Sequence, residues 1–85
     1  MKLPTSLDIN GIDYAVVPRE ANTTYGWCDY TACELSISTE PDIARQKQTL
    51  IHEMWHAVLY EYQLEAINTE ETVNKLRSND FKWLK

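Results

Sequence analysis

The chain has 85 residues, a formal net charge of −5, 44% hydrophobic and 25% charged residues, two glycines and three prolines. This length gives room for a single small domain over residues 1–85, and the balance is that of a globular chain rather than a disordered one. The acidic charge argues against nucleic acid or an anionic membrane as partner. "MKLPTSLDIN" holds no apolar leader and no run of about 18 apolar residues follows it, so a cytoplasmic protein is expected.

Asn10-Gly11 is a hairpin signal between two runs containing β-branched and aromatic residues. Pro18 is expected to close the second run, because it cannot donate to a ladder. After the polar connector "REANTTYG", "WCDYTACELSIST" predicts a second hairpin with "DYTA" at its tip. "ELSIS" alternates, with Glu34, Ser36 and Ser38 on one face and Leu35 and Ile37 on the other, the apolar pair turned to a helix. The first half therefore predicts a small antiparallel sheet of three or four strands. Cys28 and Cys33 flank "DYTA". Without an export signal they are expected as reduced thiols, two small apolar residues near a turn, although a hairpin can bring such a pair face to face. Their C-x4-C spacing is not a usual zinc spacing.

From about residue 39 the periodicity becomes helical. Thr39 followed by Glu40, Pro41 and Asp42 is a helix opening: a capping hydroxyl, a proline in the first turn and carboxylates at the positive end of the dipole. The spacing predicts a helix to about Tyr62, with Leu50, Ile51, Met54, Ala57, Val58 and Tyr62 against the sheet. His52 and His56 fall outside that stripe, with Glu53 beside them and Tyr60 and Gln63 nearby. Asn68-Thr69-Glu70-Glu71 opens a second helix, whose Val73, Leu76, Phe81 and Leu84 share a buried side and whose Asn79 and Asp80 invite fraying or a kink. A small sheet followed by two helices is an α+β fold.

"TLIHEMWHAV" contains both histidines of the chain, in the pattern His52-Glu53-x-x-His56. Side chains at i and i+4 stand one turn apart, so both imidazoles can reach one ion at about 2.0–2.1 Å. The glutamate at i+1 points aside and can take a proton from a water on the metal, which gives two ligands and a general base on one rigid helix. The plainer alternative is a solvated pair of surface histidines. The motif's position off the core stripe, and its use of every histidine present, weigh against that. A third ligand must then be a carboxylate or a thiolate. Glu61 and Glu65 follow too closely to fold back, while Glu70 and Glu71 open the second helix with room for the chain to turn round. Cys28 and Cys33 sit on a hairpin expected at the far tip of the sheet. The spacing alone does not choose between Glu70 and Glu71.

"QTLIHEMWHAVLYEY" followed by "EETVNKL" resembles the small HExxH metalloproteins of phages and mobile elements, which look like minimal versions of the ImmA/IrrE metallopeptidases, a gluzincin family. The resemblance covers residues 12–84. It implies a minimal zincin-like fold, with an antiparallel sheet, an HExxH active-site helix and a C-terminal helix. In gluzincins the third ligand opens an E-x-x-x-D or E-x-x-x-N run, and Glu70-x-x-x-Asn74 fits. The resemblance therefore selects Glu70 and implies that Asn74 orients a ligating histidine. It further implies Zn2+ on His52, His56 and Glu70, and a zinc-bound water activated by Glu53. The activity implied is a zinc metallopeptidase cleaving a peptide or protein substrate in a bacterial host cytoplasm. "ELSIS" would lie along the cleft and pair with the substrate backbone. The chain departs from the family in carrying Trp55 where a small residue is common, in being shorter, and in matching no oxyanion-stabilising residue, Tyr60 being the nearest candidate. The competing expectation is a zinc-stabilised, proteolytically inert phage or mobile-element protein that binds a host partner, since metal commonly staples domains this small. Trp27, Trp55 and Trp83 read as packing anchors. "ARQKQ" reads as a solvated face, with Arg45 or Lys47 placed to meet an acidic substrate.

Overall fold

Asn10 and Gly11 both take positive φ, 53° and 82°, as a two-residue hairpin turn requires, and the Gly11 N–H donates to Asp8 Oδ1 at 2.8 Å. They join β1 (Ser6–Ile9) to β2 (Ile12–Arg19), with Ile9 opposite Ile12. A computed structural model describes the backbone of residues 3–20 and 25–83, and side chains as far as residue 76. The second hairpin joins β3 (Gly26–Asp29) to β4 (Glu34–Ser38). Asp29 Oδ1 accepts from the N–H groups of Thr31 and Ala32, and Cys33 closes the turn at φ 56°.

The two hairpins combine into one sheet in the order β1-β2-β4-β3, with β4 lying parallel to β2. The sheet is therefore mixed rather than antiparallel. Hairpin signals specify only local pairs, and burial decides the third pairing: Leu35 and Ile37 are fully buried, and Ser36 and Ser38 nearly so. A strand covered on both faces belongs at the centre, and the segment from β2 to β4 is long enough for the crossover a parallel pair needs. Ser36 is roofed by Arg19, whose Nε donates to Ser36 Oγ at 3.0 Å. Alternation in "ELSIS" thus marks the helix side correctly, but its serine face is not solvated.

Pro18 lies inside β2, opposite Ile37. On the β1 side the Val16 N–H donates to Thr5 O, and on the β4 side Arg19 O accepts from Thr39 N. The alternation puts the N–H that Pro18 lacks on the β1 side, beyond the last bond of that ladder, so the strand tolerates it.

The first helix, α1 (Ile43–Glu61), begins later than predicted. Asp42 is the cap and accepts from the Arg45 N–H at 2.9 Å, whereas the Thr39 hydroxyl contacts Arg19 O. Leu50 and Ala57 join Ile9, Tyr14, Val16, Leu35 and Ile37 in the core, with Met54 and Val58 packed against it. Tyr62, placed on that stripe from sequence, is 54% exposed because it falls after the helix, and Leu59 is buried instead. Tyr14, fully buried, donates to Glu61 Oε2 at 2.5 Å, and Asn10 Nδ2 donates to Glu61 O, which pins the end of α1 to the first hairpin.

A left-handed Gln63 (φ 61°) stops α1 with a Leu64 N–H bond back to Leu59 O, a Schellman-type ending without glycine. A short 3-10 turn (Glu65–Ile67) reverses the chain into α2 (Glu70–Trp83), capped by Thr69 Oγ1 accepting from the Thr72 N–H. Val73 is the fully buried residue that seats α2. The helix continues through Asn79 and Asp80. The Phe81 side chain and Leu84 lie outside the described residues. The architecture is α+β: a four-stranded mixed sheet followed by two helices.

Candidate metal centre

Side chains from two helices meet where α2 begins beside the middle of α1. His52 Nε2 lies 2.9 Å from Glu70 Oε1 and His56 Nε2 lies 2.6 Å from Glu70 Oε2. The ligand atoms of His52, His56 and Glu70 fall within 4.8 Å of one another, so the group could hold a metal ion. The i, i+4 spacing supplies the two imidazoles, with ring centroids 5.0 Å apart. The Thr69 cap supplies the third ligand, because it fixes Glu70 at the first position of α2. Glu71, one residue on, points elsewhere and pairs with Lys75 at 3.4 Å. Burial would raise the Glu70 pKa, but the charges of His52 and His56 and their hydrogen bonds outweigh it and hold the carboxyl below its usual value.

Asn68, rather than Asn74, orients a histidine of this group. Its Nδ2 faces three acceptors: Glu65 Oε1 at 2.7 Å, Tyr30 Oη at 3.0 Å and His56 O at 3.4 Å. That environment sets the amide's orientation, so Oδ1 accepts from His56 Nδ1–H at 2.6 Å. With a proton fixed on Nδ1, Nε2 is the nitrogen turned to Glu70: it donates to that carboxylate while protonated and offers its lone pair to an ion once that proton leaves. Asn74 sits on an exposed part of α2. Sequence offered no signal for Asn68 beyond its place next to the Thr69 cap, since its role depends on the 3-10 turn that folds it back over His56. Asn68→Ala is expected to weaken metal binding about 10–100-fold while leaving the fold intact, as read by competition with a chelator.

Glu53 is 8% exposed, an unusual burial for a carboxylate. It belongs to the core-facing arc because it stands at i+3 from Leu50 and i−4 from Ala57, a spacing that was legible in the sequence. Desolvation pushes its pKa up to about 7, partly opposed by His56 and reinforced by Glu70. A cation on the neighbouring ligands would draw it back down.

All four residues line a cavity of ≈ 580 Å³ between β3 and α1. Its β wall is built from β3 and its flanks, including Tyr25, Gly26, Cys28 and Tyr30. β4 is hydrogen-bonded on both sides, to β2 and β3, so "ELSIS" has no free edge for a substrate and β3 is the strand beside the cavity. The cysteine hairpin is accordingly not at a far tip. Cys28 reaches the cavity but stays outside the ligand group, and burial pushes its thiol up to about 12, away from the thiolate a metal needs. Register sets Cys28 opposite Leu35, not Cys33, and both cysteines are free. Trp27 is 40% exposed on the cavity wall under Arg19 rather than a core anchor, while Trp55 is half-buried and the Trp83 side chain lies outside the described residues. Tyr60 does not line the cavity. It stacks on Tyr30, ring centroids 4.1 Å apart, and so buttresses the phenol that accepts from Asn68.

No family model matches this chain, and no curated protein or solved structure matches it significantly. Among the described residues, no helix is long and apolar enough to cross a membrane.

Proposed function

We propose that the chain is a zinc-dependent metallopeptidase with a minimal zincin-like fold, hydrolysing a peptide bond in a protein substrate in the cytoplasm. The buried Glu53 beside a His52, His56 and Glu70 group carries this reading. Two imidazole nitrogens and one carboxylate are the ligand set of a hydrolytic zinc, which keeps a position open for water, whereas structural zinc is closed by four. The donor chemistry fits: Asn68 accepts from Nδ1 of His56, which turns Nε2 to the place an ion would take, and Glu70 reaches both histidines. When bound, zinc supplies a Lewis acid that acidifies water and polarises a carbonyl.

The chain's own residues account for the rest. Glu53, a carboxylate on the cavity wall beside the three ligands, takes a proton from water on the cavity side and returns it to the leaving amine. Asn68 and Tyr30 hold His56 in place, and the wall along β3 gives an extended substrate somewhere to lie. A zinc staple for an inert binding protein has no use for Glu53, whose burial is a cost to stability. The order of elements, a sheet and then a helix bearing the histidines, supports the likeness to minimal ImmA/IrrE-type proteins.

The test is zinc per chain in the purified wild type and in Glu70→Ala. The wild type is expected to hold stoichiometric zinc, and the variant to lose most of it under dialysis against a weak chelator. A wild type that takes up no zinc would overturn the proposal. Zinc retained by the variant would remove Glu70 from it.

A further inference from the structure

One charged group of the cavity has no part in the zinc chemistry. Arg45 lines it from the first turn of α1, seven residues ahead of His52, and so about 10 Å away along the helix axis. Among the described residues it is the only lysine or arginine on the cavity wall, and the two carboxylates there, Glu53 and Glu70, lie at the other end with the histidines. Its guanidinium sits over the ring of Tyr25, 5.7 Å from the centroid. Tyr25 is itself 55% exposed at the cavity mouth.

Arg19 provides the contrast. It too lies over an aromatic ring, that of Trp27 at 5.7 Å, but its Nε donates to Ser36 and its guanidinium meets Glu34 at 3.5 Å. Those partners make Arg19 a brace of the sheet. Arg45 meets no carboxylate among the described residues. A guanidinium whose face is held by an aromatic ring keeps its N–H fork directed outward, and that fork matches a carboxylate in two parallel hydrogen bonds.

We infer that Arg45 and Tyr25 form a subsite for an acidic side chain of the peptide substrate. The subsite rests on the metallopeptidase reading, because it is defined by its distance from the metal ligands. An extended peptide advances about 3.3–3.6 Å per residue, so a 10 Å separation, shortened by the reach of the arginine, sets the acidic residue about two or three positions from the scissile bond. The chain's net charge of −5 disfavours acidic peptides in general, which makes a local cation on the cavity wall the determinant of their acceptance.

The probes are two series of short capped peptide hydroxamates on an all-alanine parent, one extending from the zinc-binding group toward the peptide N-terminus and one toward the C-terminus. Glutamate or lysine replaces alanine at each of the three nearest positions. Binding to the zinc-loaded protein is measured for wild type, R45Q and R45E, with zinc content read alongside to confirm that each variant is folded. In the wild type, glutamate is expected to bind about tenfold more tightly than lysine at one position of one series. That preference disappears in R45Q and reverses in R45E. Indifference to charge at every position, or a preference that survives in R45E, would overturn the subsite while leaving the zinc reading intact. If neither alanine parent binds a protein that does contain zinc, the cavity is not a substrate site and both proposals fall together.

Discussion

Glu53→Gln is expected to lower kcat for peptide hydrolysis by about 10²–10⁴-fold while zinc content stays at the wild-type level. The substitution keeps shape and hydrogen-bonding capacity at a side chain only 8% exposed, and removes the cavity carboxylate that is left over from the three ligands to carry a proton. None of the three ligands is touched. Retained activity would transfer the base role to another residue, and loss of zinc would mean that Glu53 supports the ligands structurally. The same variant makes a separate prediction for the metal-free chain. Burial raises the Glu53 carboxyl to about 7, so between its unfolded value near 4.5 and 7 the folded chain binds the extra proton. Its contribution to stability is then intact below about pH 4.5 and falls as pH rises toward 7. In the presence of a chelator, Glu53→Gln is therefore expected to be more stable than wild type at pH 8, by up to about 3 kcal/mol, with the gain shrinking toward pH 4.5. Urea midpoints at the two pH values measure it. A difference independent of pH would locate the effect in packing instead.

The His52-Glu53-x-x-His56 spacing could be read from sequence because a helix converts it directly into geometry: four residues are one turn, whatever else the chain does. The local hairpins and the helix start at Asn68-Thr69-Glu70-Glu71 were legible for the same reason. What sequence did not reveal was set by contacts between elements. β4 went to the centre of the sheet because both its faces find cover, and only then did β3 become the cavity wall. The Glu70-x-x-x-Asn74 run pointed to Asn74 as partner to a histidine, and the reversal through Glu65–Ile67 brings Asn68 there instead. The N-terminal boundary of α1 moved from Thr39 to Asp42 because Arg19 on β2 engages Thr39, a competitor that local capping rules do not include. Glu53 is intermediate: its helical spacing from Leu50 and Ala57 marks burial, but the neighbouring histidines invite its assignment to the polar face.

A tight contact between sheet and helix supports the remaining prediction. Gly26 on β3 faces Thr49 on α1, and a Cβ built there would stand 2.6 Å from Thr49 Cγ2 and 2.7 Å from Ser36 O, with Glu53 Cγ at 3.5 Å. The Thr49 hydroxyl donates to Arg45 O at 3.0 Å, which restricts rotation of its methyl group, and Ser36 O is backbone of the neighbouring strand. Neither obstacle yields cheaply, so Gly26→Ala must lift α1 off β3. The expected cost is about 1–3 kcal/mol from overpacking, a large part of the roughly 4–13 kcal/mol typical of a domain this size. His52, Glu53 and His56 ride on the displaced helix, so zinc affinity is expected to fall with stability, a coupling absent from substitutions on the outer face. Thr49→Ser removes the methyl and keeps the hydroxyl. Combined with Gly26→Ala it is expected to restore part of the loss and not all, because the contact with Ser36 O persists. A denaturant-unfolding cycle of the two single variants and the double, with zinc affinity measured on each, reads this coupling directly. A Gly26→Ala protein as stable as wild type would show that β3 and α1 are not in tight contact, and would leave the cavity without its fixed wall.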